Sequence, residues 1–548
     1  MKKVLLILCL YGTPVLHAQQ CQWAKTAGGA TGDACLSVAI DTLGNSYTAG
    51  FFTGVVDFGF GQVISMGEKD AFVLKRDPFG NAAWLRVFSG SGEEEIRDVV
   101  VAEDGSLYVV GWFDSPLLFC GAMIPLTNVD TATQNSLLVR LDASGFIFWA
   151  KQSTGAGNEQ FFSVACDAVG NAYVAGGYYD TLQLDSLSLV SVGSRDVCIA
   201  GYDTSGSLLF ASSGGSVHDD VAYGIACDPY DRCIVITGYF NFGAIQIDTA
   251  RFGTETIQSI GYTDIFLARY DLLGNCEWAR AAGGTSFGDA ARGVVISDSG
   301  RMFIAGYFSG TAVFGSNTLS TASTADAFVA SYDSSGNCLW ATALGSVPQG
   351  NSVAYDIALE NTQNPIVVGG FEREFLFGQK LYGSSGWYDG FIASFAYATG
   401  APYFAMSTGG IDEDWLCGVS VDSNGTYHVG GISSSVPTYF GSCTVSTYGQ
   451  TDAYEAKCSL LSSGVTSYVR VSPVQVYPNP FFTECHIELL GNFTTLTLVD
   501  IYGREVRHIT SQVDGTVTLD RRDLPSGAYC LIVVCEDGTL STTQIFIH

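Results

Sequence analysis

Acidic residues recur at one place in this chain. Asp33, Glu95, Glu159, Asp220, Asp289 and Asp414 each stand just before an alternating apolar run, with Asn351 at the corresponding place in a further run. If those runs are strands lining a channel, the six carboxylates ring one of its mouths. Such a ring would draw a cation such as Ca2+, or a basic or hydroxyl-rich ligand. The alternative is that each carboxylate accepts N–H bonds from its own loop, as repeated turn residues do. A second acidic column, Asp70, Asp196, Asp264, Asp326, Asp389 and Asp452, reads as structural. Trp387-Tyr388 and Trp415 offer aromatic faces for stacking on sugars, or for internal packing.

Other chemistry is thin. His218 and His428 fall in different repeats, without a Cys/His ligand pattern, so zinc is not expected. His428 reads as a packed strand residue, and His218, beside Asp219-Asp220, as part of a solvated loop. Gly284-Thr-Ser286-Phe-Gly288 matches the letters of a hydrolase elbow, but that motif needs a strand-to-helix turn and a histidine partner. It replaces Gly28-Gly-Ala-Thr-Gly32 of the first repeat and reads as a loop. A formal charge of -29 leaves nothing to displace counterions from phosphates, so nucleic acid is excluded as a partner.

The positioning elements are read from repetition. The phrase Asp41-Thr-Leu-Gly-Asn-Ser-Tyr47-Thr-Ala-Gly50 returns with its last glycine at Gly111, Gly176, Gly238, Gly306, Gly369 and Gly430. A second phrase, residues 70–84, from Asp70 through Asp77-Pro-Phe-Gly80-Asn to Trp84, returns at 135–149, 196–210, 264–278, 326–340 and 389–404, and in part at 452–464. Each repeat holds four alternating runs, 34–40, 46–52, 71–76 and 82–88 in the first. The Asp-x-x-Gly-Asn turns suit a three-residue hairpin loop with a left-handed glycine and a bulge. Four strands at this period make a propeller blade. The sixth repeat, with Phe395-Ala-Tyr-Ala-Thr-Gly400, lacks the turn aspartate, and a looser hairpin is expected there. The seventh stops early, while an orphan strand bearing Trp23 precedes the first. The expected fold is therefore all-β: a seven-bladed β-propeller closed by the N-terminal strand, over residues 19–464. A linker follows at 465–475, then an Ig-like β-sandwich at 476–548.

Sixteen cysteines indicate an oxidising compartment; Cys9 lies in the leader, leaving an odd number. With Arg76 facing Ala82 across the turn, Cys458 and Cys21 take those two places in the seventh blade, which predicts a Cys21–Cys458 disulfide. The same geometry predicts Cys227–Cys233. Cys276 and Cys338 face Tyr270 and Tyr332 and are expected to be reduced or bonded elsewhere. Cys485 pairs with Cys530 or Cys535, undecided by sequence. Met1-Lys2-Lys3, the apolar run to Leu10 and the polar Gln19-Gln20 lay out a signal peptide over 1–18, and no other stretch is long and apolar enough to span a bilayer.

The repeat phrases resemble bacterial seven-bladed propeller (SBBP-type) repeats from about Trp23 to Leu461. That resemblance implies the architecture and no common reaction. The phrases Tyr477-Pro-Asn-Pro-Phe481, Val499-Asp-Ile-Tyr502-Gly503-Arg504 and Leu524-Pro-Ser-Gly527-Ala-Tyr529, with a terminal strand, resemble the C-terminal sorting domain of the type IX secretion system; His548 stands where a lysine is usual. This implies partnership with the type IX machinery, export across the outer membrane of a Bacteroidetes-type cell, and release or attachment to surface glycolipid. The functional expectation is a secreted or cell-surface, non-catalytic propeller that binds a glycan or a surface protein. The alternatives are a carbohydrate-active hydrolase or lyase using rim carboxylates such as Asp33 with Asp220, and a passive surface-layer component.

Overall fold

The structure, a computed structural model, describes residues 18–461 and 475–547, apart from 121, 124–125, 127–132, 231, 244–246, 287, 347–349, 478, 490–492, 501–504, 511–514, 523 and 536–539. The leader, save Ala18, and the linker, save Gln475, lie outside the described residues. No helix occurs among the described residues. One body is Gln19–Leu460; the other takes in the chain from Leu461 to His548.

In the larger body each repeat folds into four antiparallel strands. In the first these are Ala34–Ile40, Ser46–Phe52, Asp70–Arg76 and Ala82–Ser89. The turn chemistry fixes their register. The Asp77 carboxylate accepts the N–H groups of Phe79 at 2.9 Å and Asn81 at 2.8 Å, and the Asn81 amide at 2.8 Å. The Asn81 amide, foremost among these donors, holds the Asp77 carboxyl below its usual range. Gly80 takes φ 82°, which a Cβ would penalise. The bulge after Lys75 then sets Arg76 opposite Ala82, and the same pattern sets Tyr270 opposite Cys276 and Tyr332 opposite Cys338, as expected. In the sixth repeat Ala396 N–H reaches Ala401 O, one residue further than Asp77 reaches to Asn81, so that hairpin is longer and closed without a carboxylate.

Between the second and third strands of most repeats a short hairpin swings outward. It pairs with the fourth strand of the preceding sheet: Val55–Asp57 on Ala18–Gly29, Leu118–Phe119 on Ala82–Ser89, Thr249–Phe252 on Leu208–Gly215, Thr311–Phe314 on Cys276–Gly284, and Glu374–Phe377 on Cys338–Ser346. Edges that would otherwise template aggregation are covered in this way. Asp414–Val421, Thr426–Ser433 and Asp452–Leu461 form a sheet whose next strand is Ala18–Gly29.

Tryptophans tie neighbouring sheets. The indole N–H of Trp84 donates to Ala143 O at 3.2 Å, Trp149 to Thr204 O at 3.0 Å, Trp278 to Ser334 O at 3.2 Å and Trp340 to Tyr397 O at 3.1 Å. Trp23 donates to Pro78 O at 3.1 Å in the same manner. The first strands pack in order, Ala34–Ile40 on Glu94–Val101, then Glu159–Cys166, Asp219–Cys227, Ala290–Ile296, Asn351–Leu359 and Asp414–Val421. The last of these packs in turn on Ala34–Ile40.

The disulfide expectations need correction. Cys21 bonds Cys443, not Cys458. The sequence Phe440-Gly441-Ser442-Cys443 repeats Phe314-Gly315-Ser316-Asn317. In the fifth repeat, hairpin residue Asn317 reaches the Cys338 sulfur at 3.4 Å, and Cys338 shares the column of Cys21. Cys443 thus takes the place of Asn317, and the swung hairpin, not the neighbouring strand, supplies the partner. Cys227–Cys233 does not form either. The turn after Cys227 is one residue longer than Asp41–Asn45, with Asp228 N–H bonding Cys233 O, so Cys227 faces Ile234. Cys233 is a buried thiol whose pKa burial pushes up to about 11.

The smaller body has a three-stranded sheet, Gln475–Tyr477, Glu484–Leu489 and Gly515–Asp520, and a four-stranded one, Glu505–Thr510, Phe493–Asp500, Gly527–Cys535 and Leu540–Ile547. Ile487 and Leu519 from the first meet Leu496, Leu498, Leu531, Val533 and Ile545 from the second in one core. Cys485 lies in that core as a free thiol, raised by burial to about 11, and the side chains of Cys530 and Cys535, its expected partners, lie outside those the structure describes.

Candidate functional site

The acidic column does not ring an open mouth. Asp33 is 1% exposed, and Glu159, Asp220, Asp289 and Asp414 are fully buried, each where one sheet hands over to the next. Asp33 accepts the N–H groups of Gly29 and Thr53, both at 2.9 Å. Asp220 accepts Ser216 N–H at 2.6 Å and Asn241 N–H at 2.8 Å; Asp289 accepts Gly284 and Ser309 N–H groups at 2.8 Å. Asp414 takes the N–H of Gly410 and the hydroxyl of Ser435, both at 2.7 Å. In the second repeat Glu94 fills the position, bonded by the Ser115 hydroxyl at 2.6 Å, while Glu95 pairs with Arg97 at 2.6 Å. Ser352 replaces the acid in the sixth, accepting Ala327 N–H at 2.8 Å. The column exists because the handover loops carry N–H groups that no strand satisfies, and a short acid accepts them.

The second column lies in the same joints. Met66, Val192, Ile260, Ser385 and Tyr448 donate backbone N–H groups to Asp70, Asp196, Asp264, Asp389 and Asp452. Burial raises Asp33, Asp220 and Asp289 to about 7 and Glu94 and Glu159 to about 8. Among the described residues no three acidic, Cys or His side chains gather as a metal ion would need.

The first strands instead build a different site. Each is broken by a bulge, and the residues skipped in the pairing are Leu36, Arg97, Phe162, Tyr223, Arg292, Tyr355 and Cys417. All seven line a single cavity of about 420 Å³. A bulge turns the extra side chain off the regular alternation, and here it turns one from every repeat into the same space. The residues that follow close the floor: Ser37, Asp98, Ser163, Gly224, Gly293 and Asp356. Glycine gives room for close packing at two of these places, where a Cβ on Gly224 would stand 3.1 Å from Arg292 O and one on Gly293 2.9 Å from Ile357 Cγ2.

The floor carboxylates bind the strands together. Asp98 accepts the hydroxyls of Ser37 at 2.7 Å and Ser163 at 2.8 Å, and the N–H groups of Val99 and Val164 at 2.9 Å. Asp356 accepts Ile357 and Val419 N–H groups at 2.8 Å. Burial, with Asp98 adding to it, raises Asp356 to about 7.

Above the floor the walls are aromatic and cationic. The rings of Phe162 and Tyr223 lie 5.1 Å apart between centroids. The Arg292 guanidinium stands 4.0 Å from the Tyr223 centroid and Arg97 5.5 Å from that of Phe162, which Arg195, outside the lining, approaches to 5.2 Å. Trp415 lines the cavity, stacked on Tyr388 at 4.2 Å and edge-on to Tyr355 at 5.6 Å. Trp387 is 74% exposed and is not part of this lining. His428 is fully buried in its strand, 3.5 Å from Glu455, and His218 stands 4.0 Å from Asp248 near the surface. The Gly284–Gly288 segment joins two strands, Cys276–Gly284 and Ala290–Ile296, and so lacks the helix an elbow requires.

Of the aromatic residues singled out from the sequence, Trp415 lines this cavity, while the members of the bulge ring share no residue type that would mark them. The one signal available was the run of small residues inside otherwise apolar strands, Gly224, Gly293 and Gly418, since strand glycines mark bulges and close approach.

Comparison with known proteins gives two kinds of likeness. An uncharacterized WD repeat-containing protein of Acanthamoeba polyphaga mimivirus is 25% identical over 455 residues, 66% of this chain and 32% of its own length. Regulatory protein FlaEY of Caulobacter vibrioides is 29% identical over 164 residues, 29% of this chain and 17% of its own. The chain therefore spans a third or less of either relative. Among solved structures, Sqt1 from Chaetomium thermophilum aligns at 9% identity and a TM-score of 0.37, over 75% of this chain and 97% of that one. The family model of the secretion system C-terminal sorting domain matches residues 475–548, the segment that forms the smaller body. The chain ends in a C-terminal sorting domain of the type IX secretion system.

Proposed function

We propose that residues 19–464 form a seven-bladed propeller closed by the strand Ala18–Gly29, exported to the cell surface of a Bacteroidetes-type cell, where it binds glycan in its central cavity without turning it over. Closure is supported by Trp23, which engages the turn at Pro78 as Trp84 engages the turn at Ala143. It is supported also by the return of Asp414–Val421 onto Ala34–Ile40. The observation that carries the binding reading is the convergence of seven bulged side chains on one cavity. Its volume lies within the roughly 300–1,000 Å³ range of small-ligand sites, and aromatic faces such as Trp415 suit the apolar faces of sugar rings.

A hydrolase or lyase acting through Asp33 and Asp220 loses its support, since both are enclosed in joints between sheets. That chemistry would pass to Asp98 and Asp356, whose oxygens are committed to strand N–H groups and serine hydroxyls. A glycan array on the mature chain, with chromatography of the supernatant, tests the reading. Retained glycan that disappears in Trp415→Ala, with no released product, is expected. Released product lost in Asp356→Asn would replace binding by catalysis. No retained glycan would leave the surface-layer role.

A further inference from the structure

The cavity wall holds one positive charge that the protein does not neutralise. Arg292 has no carboxylate partner within 4.0 Å among the described residues, and its Nε is buried without a hydrogen-bond partner. Burial works against its charge, and the hydroxyls of Tyr223, Tyr307 and Tyr355 offset that. The other guanidinium group of the lining is already engaged, for Arg97 pairs with Glu95 at 2.6 Å. Arg292 also stands between two spaces, for with Tyr223 it lines both the central cavity and an adjoining recess of about 410 Å³ walled by Tyr239, Phe242 and Tyr307. In a chain of net charge -29, an uncompensated guanidinium in an enclosed space is a local attractor for an anion that the rest of the surface repels.

We propose that this site takes a sugar residue bearing one carboxylate, a uronic-acid unit of an acidic polysaccharide, with the carboxylate on Arg292 and the sugar ring against the aromatic wall. This rests on the binding reading above and names its ligand class. A guanidinium presents a planar fork that matches a carboxylate through two parallel N–H···O bonds. One guanidinium without an ion-pair partner compensates one charge. The tyrosines around it supply neutral donors for ring hydroxyls, and Trp415, backed by Tyr388, supplies an apolar face in the same cavity. A multiply charged phosphate ligand is disfavoured, because Arg97 is occupied by Glu95 and the surrounding field is negative.

The test is calorimetric titration of the mature chain with oligogalacturonides, with the neutral galacto-oligosaccharides of the same length, and with a sulfated galactan oligosaccharide. The uronates should bind at least tenfold tighter than the neutral series, since hydrogen bonds to a charged group are worth roughly 10- to 100-fold in affinity. Arg292→Gln should remove that advantage, so that uronates and neutral sugars of the same length bind alike. Arg292→Lys should restore part of it, as a point charge without the fork. Thermal unfolding of each variant checks that the chain is still folded. Equal binding of uronate and neutral sugars, or uronate binding unaffected in folded Arg292→Gln, would overturn the assignment while leaving glycan binding intact. Preference for the sulfated sugar over the uronate would also overturn it. Binding of none of the three would overturn it together with the binding reading if the glycan array is blank as well.

Discussion

Replacing Glu159 by glutamine isolates one buried acid from the electrostatics of the whole chain. Glu159 is fully buried, its Oε2 accepts the Ser153 hydroxyl at 3.1 Å, and its Oε1 has no partner. Burial raises its pKa from 4.5 to about 8. A folded-state value above the unfolded one means the fold holds the proton more tightly. The stabilisation is then complete below about pH 4.5 and is lost as pH rises towards 8. At about 1.4 kcal/mol per unit, the ceiling on that loss is ~5 kcal/mol. Glutamine keeps the shape and offers an N–H where the protonated acid offers O–H. It should change stability by less than ~1 kcal/mol at pH 5 and stabilise by ~2–5 kcal/mol at pH 8.5. All eight tryptophans fall in the larger body, so urea unfolding followed by tryptophan fluorescence reports that body alone. An equal midpoint difference at the two pH values, or a wild-type chain that gains stability from pH 5 to pH 8.5, would show that Glu159 is charged in the fold and that the joint reasoning is wrong.

Three further outcomes are expected. Cys443→Ser should destabilise by ~2–5 kcal/mol, because the Cys21–Cys443 bond closes a very long loop, and non-reducing peptide mapping should recover the Cys21–Cys443 pair and no Cys21–Cys458 pair. Asp220→Ala should cost ~2–4 kcal/mol through the stranded N–H groups of Ser216 and Asn241, yet leave glycan retention on the array unchanged; lost retention in a folded variant would return that carboxylate to the binding site. Trp23→Phe removes only the bond to Pro78 O and should lower stability by ~1 kcal/mol, with hydrogen exchange rising along Ala18–Gly29. Exchange unchanged there would mean the indole does not hold that strand.

The joints and the cavity differ in how far they could be read from the residues. Asp77-Pro-Phe-Gly80-Asn81 states its own turn, since the carboxylate, the left-handed glycine and the bulge are satisfied within five residues. That is why the facing of Arg76 with Ala82 and of Tyr270 with Cys276 followed from spacing alone. Three ordered phrases and a terminal strand likewise marked the sorting domain, a module whose strands lie close together along the chain.

Spacing fails where the partner comes from another part of the fold. Cys21 was matched to the strand beside it, but its partner arrives on an outward hairpin, 422 residues along the chain. The acidic column was visible as a column, but whether a carboxylate faces solvent or a loop's N–H groups depends on how neighbouring sheets meet. The bulge ring is the extreme case. Leu36, Arg97, Phe162, Tyr223, Arg292, Tyr355 and Cys417 have nothing in common as residues, and only the packing of their strands on one another makes them a site. Local chemistry determined the repeat, its turns and its register; the closeness of strands far apart in sequence decided the disulfide, the buried joints and the cavity.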